Sequence, residues 1–174
     1  MTDIRFMIVA LLPRLRSFAL ALARSSDAAD DLVQATCEKA LRASGNWTPG
    51  TRLDSWMFRI MQNHWIDTKR QQRPQQSIDG DDGQIEIEGE DGGRITEARL
   101  TLGSVRSLVE TMPEEQRSVL LLVCVEEMSY REAADVLEIP IGTVMSRLSR
   151  ARRTLIEAMD GKRIGRTRAS GGES

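Results

Sequence analysis

Apolar residues recur along the chain at steps of three and four, a pattern that predicts helices over most of its length. Helices are expected over residues 8–23, 27–43 and 53–70, then over 95–111, from Pro113 onward, from Ser129 onward and over 141–159. Asp27 is read as the N-cap of the second helix, with Asp30 and Asp31 in its first turn, where the helix dipole favours acids. Turning the third helix through about 100° per residue puts Leu53, Met57, Ile60, Met61 and His64 on one arc. Arg59, Gln62, Lys69, Arg70 and Arg73 fall on the opposite arc. The one alternating stretch, Ile85-Glu86-Ile87-Glu88, lies among clustered Pro, Gly, Gln and Asp between Pro74 and Gly93. Too few apolar residues surround it to bury a strand, so the segment reads as a linker between two helical domains.

The second domain is the more explicit. Ala98, Leu102, Val105 and Leu108 or Val109 share one side of its first helix, which Met112-Pro113 ends. Pro113 is expected at the first position of the next helix, where a missing N–H costs nothing. Glu114 and Glu115 follow before the apolar run Val119-Leu120-Leu121-Leu122-Val123. Ser129-Tyr130-Arg131-Glu132 has the spacing of a capping box and starts a short helix carrying Ala133, Ala134 and Leu137. A tight turn, Glu138-Ile139-Pro140, leads into the last helix and completes a helix-turn-helix. In that last helix Val144, Leu148, Ala151 and Leu155 face the core, and Thr143, Ser146, Ser149, Arg150 and Arg153 face outward, with Arg147 and Arg152 on the flanks. Short hydroxyls allow close approach and guanidiniums reach guanine edges and phosphates, which is the division a DNA-reading helix needs.

The resulting fold class is all-α: two small helical domains joined by a flexible acidic linker, the second a four-helix domain. The boundaries are 1–73, a linker at 74–99, 100–160, and a disordered basic tail at 161–174. Charge follows the same divisions. Residues 1–73 carry 11 basic and 7 acidic side chains, 74–99 carry 2 and 8, and 100–174 carry 11 and 11, so a net charge of −2 conceals two basic surfaces. Within the last segment, residues 140–168 hold 8 basic and 2 acidic groups. On the third helix the basic arc can track phosphates or simply be solvated, while Trp47, Trp56, Phe58 and Trp65 gather in the same region as a surface that stacks bases would require.

The chemistry on offer is narrow. His64 is the only histidine, read as a half-buried packing residue, so a histidine-based triad or metal site has no partners. No phosphate-binding glycine loop is present, and Cys37 and Cys124, far apart in helical contexts, read as core residues. No enzymatic activity, cofactor or metal is expected. Pro13, Arg14 and Arg16 interrupt the apolar N-terminal segment, and no apolar run is read as approaching the length of a membrane span, which places the chain in the cytoplasm.

Several motifs in order resemble the extracytoplasmic-function (ECF) group of bacterial sigma-70 factors. They are Asp27-Ala28-Ala29-Asp30-Asp31-Leu32-Val33-Gln34, the run Leu53-Asp54-Ser55-Trp56-Met57-Phe58-Arg59-Ile60-Met61-Gln62-Asn63 continuing through Ile66-Asp67 to Arg70, Met112-Pro113-Glu114-Glu115-Gln116-Arg117, and Gly142-Thr143-Val144-Met145-Ser146-Arg147-Leu148-Ser149-Arg150-Ala151-Arg152. Met145 stands where that family usually has a basic residue, and Ala35 and Cys37 where it has acidic and aromatic ones. The resemblance implies that Asp30, Asp31, Gln34 and Glu38 bind the clamp of core RNA polymerase. It implies that Arg59, Gln62, Asn63, Lys69, Arg70 and Arg73 engage the promoter's −10 element as it melts. It also implies that Thr143, Ser146, Arg147, Ser149, Arg150 and Arg153 read the −35 duplex, and that an anti-sigma factor holds the domains together. About 20 linker residues span at most roughly 70 Å, enough to cooperate with two promoter elements about two DNA turns apart. The alternatives are a stand-alone dimeric helix-turn-helix regulator, which leaves the N-terminal motifs idle, and a protein-interaction adaptor.

Overall fold

A computed structural model describes residues 3–72 and 97–169, with side chains at 3–72 and 103–160. Helix α1 (Ile4–Ala23) begins at Asp3, whose carboxylate accepts the Arg5 N–H at 3.0 Å, and closes at Arg24 in the left-handed region. Helix α2 (Ser26–Arg42) is capped by Ser25 rather than by Asp27. Ser25 has the extended backbone of an N-cap and its hydroxyl accepts the Ala28 N–H, which leaves Asp27 inside the first turn. A short 3-10 turn, Ser44–Asn46, leads to α3 (Leu53–Gln72). These three helices enclose Leu15, Phe18, Ala19, Leu22, Leu32, Met57, Phe58 and Met61, with the Phe18 and Phe58 rings edge to face at 5.2 Å.

By length and composition α1 does qualify as a candidate membrane span, with a mean hydropathy of 1.7, contrary to the expectation that no apolar run approached one. Its buried residues belong to the protein core, and its two interior arginines are paired. Arg14 meets Asp54 and Glu126, and Arg16 meets Asp30.

The second module comprises α4 (Glu97–Thr111), α5 (Glu114–Leu120), α6 (Tyr130–Leu137) and α7 (Ile141–Ala169). Pro113 is the N-cap of α5, not its first residue: its ψ of 140° is extended, and its carbonyl receives the Gln116 and Arg117 N–H groups at 3.0 Å. After α5 the backbone widens into a π turn, Leu121–Val125, closed by Glu126 N–H to the Leu121 carbonyl at 2.9 Å. The predicted apolar run is therefore split, with Val119, Leu120 and Leu122 buried and Leu121 and Val123 half-buried. The Ser129–Glu132 capping box forms reciprocally, and Glu138 ends α6 in the left-handed region. Helix α7 runs through Ala169, so the segment expected to be a disordered tail is helical for most of its length. The segment has no proline, and its lysine and arginines, good helix formers, stand against the unfavourable Gly161 and Gly165. Residues 74–96 of the acidic linker, with Ile85–Glu88, and Arg73 lie outside the described residues, while residues 97–99, expected in the linker, begin α4.

The two modules share one core. α3 packs on α6 and α1 on α5, and the buried cluster runs from Leu15 and Phe58 through Met112, Val119 and Val136 to Leu148.

Candidate nucleic-acid interface

Helix α7 is fixed by Val144, Leu148 and Ala151, at most 2% exposed, and half-buried Leu155 completes the predicted inner face. That anchorage presents Ser146, Ser149, Arg150 and Arg153 to solvent, with Thr143 half-buried at the start of the row. Arg147, 24% exposed, lies 3.7 Å from Glu115. Met145 is exposed beside them and leaves an apolar gap in the row. Guanidiniums on a rigid helix with short hydroxyls between them can enter a major groove without rearrangement.

On α2, Asp30, Asp31, Gln34 and Glu38 are all exposed. Asp30 meets Arg16 at 2.9 Å, and the Gln34 amide donates to Glu38 at 3.2 Å, which leaves Asp31 and most of the acidic row facing outward.

The expected −10 residues are distributed differently. Gln62 is buried, 8% exposed, and its Oε1 has no partner, so it is not on the basic surface. The arc assigned to it by regular spacing is covered because α3 is enclosed on more than one side. Asn63 is half-buried and Arg70 exposed. Arg59 and Lys69 are at the surface but engaged: the Arg59 guanidinium donates to Glu138 at 3.0 Å, and Lys69 Nζ to Glu114 at 2.8 Å. Trp65 Nε1 donates to the other Glu114 oxygen at 2.9 Å, with the Lys69 ammonium 5.8 Å from the Trp65 ring centroid.

These contacts belong to a larger seam between the modules that the periodicity of either one does not disclose. Arg14 Nε donates to Glu126 at 2.6 Å while its Nη2 reaches Asp54 at 3.0 Å. Arg52 forks between Asp54 and Glu132, each at 2.7 Å. Arg24 Nη2 donates to the Met112 carbonyl at 3.1 Å, which also receives buried Arg117 at 3.1 Å. Burial would raise the Asp54 carboxyl, but hydrogen bonds from Arg52, Arg14 and the Ser55 N–H outweigh it and hold the pKa down to about 2. The Glu132 carboxyl is lowered by the Ser129 N–H and then by Arg52. Arg117 is pushed down to about 10, by burial first and by Arg24 second.

His64 is half-buried, as expected, and its pKa is lowered by burial and by Lys39. Cys37 is half-buried and packs against the core, as expected, whereas Cys124 is exposed on the π turn and is not a core residue. Among the described residues no group of three or more His, Cys, Asp or Glu is placed to hold a metal.

Two family models match the chain: Sigma-70 region 2 over residues 7–75 and Sigma-70 region 4 over residues 102–155. The ECF RNA polymerase sigma factor EcfG of Rhodopseudomonas palustris is 34% identical over 149 residues, covering 85% of this chain and 80% of that one. The RNA polymerase sigma-H factor of Pseudomonas aeruginosa is 30% identical, covering 75% and 72%. Among solved structures, the sigma factor RpoE of Bartonella quintana, in complex with the anti-sigma factor NepR, superposes with a TM-score of 0.71 at 28% identity, covering 92% and 98%. CnrH, in complex with the cytosolic domain of CnrY, gives 0.61 at 26% identity, covering 89% and 86%.

Proposed function

The chain belongs to the ECF sigma factors of the sigma-70 family, and on that footing we propose that it binds core RNA polymerase in the cytoplasm, directs it to promoters and is held in check by an anti-sigma factor. The observation that carries this reading is the presence of two unlike exposed faces on one chain: the arginine and hydroxyl row of α7 and the acidic row of α2. A regulator that acts on DNA alone has use for the first and none for the second.

In this reading Thr143, Ser146, Arg147, Ser149, Arg150 and Arg153 contact the −35 duplex, and Asp30, Asp31, Gln34 and Glu38 meet a basic surface of the polymerase clamp. Arg59, Asn63, Lys69, Arg70 and Arg73 contact the −10 strand as it melts, with residues 1–73 acting as region 2 and 100–160 as region 4. Gln62 drops out of the set because it is buried. The work is differential binding rather than bond chemistry: contacts available only to a melted strand draw the opening equilibrium forward.

The test is transcription in vitro with core RNA polymerase on fragments of genomic DNA. Start sites that appear only when the chain is added support the reading. A chain that protects a palindromic duplex as a dimer and yields no polymerase-dependent transcript refutes it.

A further inference from the structure

We propose that the acidic edge of the second module is an interaction surface for the nucleic-acid face of the first, its carboxylates taking the places of DNA phosphates, so that the closed chain masks its own −10-reading side while its −35-reading helix stays open. The proposal rests on the assignment of Arg59 and Lys69 to the −10 strand. Four glutamates from separate turns, Glu114, Glu126, Glu132 and Glu138, meet Lys69, Arg14, Arg52 and Arg59 in turn. Trp65, an aromatic suited to base stacking, gives its N–H to Glu114. A carboxylate that accepts from both a lysine and an indole N–H takes donors a phosphate would use, and it holds in place the Trp65 ring, near whose centroid the Lys69 ammonium lies at 5.8 Å. In contrast, Ser146, Ser149, Arg150 and Arg153 on α7 face solvent.

Backbone conformation supports a selected contact. Of the three non-glycine residues at positive φ among the described residues, Glu127 follows the π turn. The other two, Arg24 and Glu138, end their helices at φ 58° and 54°, in the left-handed region where glycine would be unstrained. Each instead carries a long charged side chain across the seam, Arg24 to the Met112 carbonyl and Glu138 to Arg59. Glycine at either site would relieve the backbone and lose the bridge.

The pairs are suited to opening. Arg59 and Glu138 are each about half exposed, as is Lys69, so the Arg59–Glu138 and Lys69–Glu114 pairs are weak and screened by salt; Glu126, its side chain 7% exposed, makes the firmer pair with Arg14. Together they form a latch that polymerase and a promoter strand can displace.

The full-length chain is compared with a triple variant, Glu114→Gln, Glu126→Gln and Glu138→Gln, none of them assigned to DNA or polymerase. A second triple, Asp27→Asn, Glu157→Gln and Asp160→Asn, makes the same charge change on exposed acids of α2 and α7, none of which pairs with a basic group of the seam. Each is titrated with a fluorescein-labelled random 15-nucleotide single strand and with a random duplex, and its radius of gyration is measured by X-ray scattering. Two weak pairs and the more buried Arg14–Glu126 pair together amount to at least about tenfold, so the seam variant is expected to bind the single strand at least about tenfold tighter and to expand, with duplex affinity within about twofold. The second triple is expected to stay compact, with at most about twofold gain. Unchanged single-strand affinity in the seam variant, an equal gain in the control triple, or no binding by any chain overturns the proposal. Should the triple variant fail to fold, Glu138→Gln alone, exposed at a helix end, is read the same way with an expected gain of about twofold. Transcription by the wild-type chain with core polymerase separates the two readings: transcripts without a latch effect sink only the latch, and no transcripts sink the function itself.

Discussion

Arg150→Ala is the sharpest test of the α7 face, because it separates binding from folding. Arg150 is exposed, and among the described residues its guanidinium has no ion-pair or hydrogen-bond partner, while its backbone carbonyl accepts from Thr154 at 3.0 Å. Alanine is the best helix former, so the folded state loses nothing it depends on, and unfolding free energy should move by no more than about 0.5 kcal/mol. The neighbouring anchors Val144, Leu148 and Ala151 remain buried, so the helix keeps its place. Loss of one bidentate contact to guanine costs about 1–3 kcal/mol, or about 5- to 150-fold in Kd. The assay is fluorescence anisotropy of a −35 duplex, taken from a mapped promoter, at several salt concentrations, beside urea denaturation of the same preparation. A base contact shows as a loss concentrated on the specific sequence. A phosphate contact shows as a uniform loss, with the slope of log K against log salt reduced by about one. Kd within twofold of wild type on specific and random duplex alike, for Arg150→Ala and Arg153→Ala both, would refute the assignment of α7 to DNA.

Leu148→Ala acts from the opposite side of the same helix: at 2% exposure it should cost about 2–5 kcal/mol in urea denaturation, and duplex binding should fall only in proportion to the unfolded fraction. Charge reversal of Asp31 and Glu38 to lysine should weaken capture of core polymerase by about tenfold or more while leaving binding of the −35 duplex unchanged, measured by pull-down and anisotropy respectively. Asp54 sets a pH dependence. Its carboxyl sits at about 2 against an ordinary 3.8, so its charged form stabilises the fold by about 2 kcal/mol at every pH above the ordinary value. That contribution is lost as pH falls from about 4 towards 2. Urea midpoints of wild type and Asp54→Asn should therefore differ most above pH 5 and converge near pH 2, and a constant gap would show that the carboxylate charge is not what matters.

Local sequence determined the helices, the capping box and the inner face of α7. Each depends on residues within one or two turns of one another, so spacing alone carries the information: Val144, Leu148 and Ala151 are buried where a 3.6-residue period puts them, and Ser129 with Glu132 closes the box that four residues define. Motif order likewise indicated the family. Tertiary structure decided the rest. Gln62 lies on the polar arc of α3, yet the packing of other helices around α3 buries it, and no periodicity within one helix reports on its neighbours. Cys124 is exposed on the π turn, whose extra residue shifts the register that a 3.6-residue period assumes. The seam is the clearest case: Arg59 and Glu138 are 79 residues apart, and Lys69 and Glu114 are 45. Nothing local marks a lysine that will meet a glutamate across a domain boundary, since to its own helix it is one more solvated charge. The sequence by itself thus determined what each module is built to touch, and only the packing of one on the other decided which of those surfaces is free to touch it.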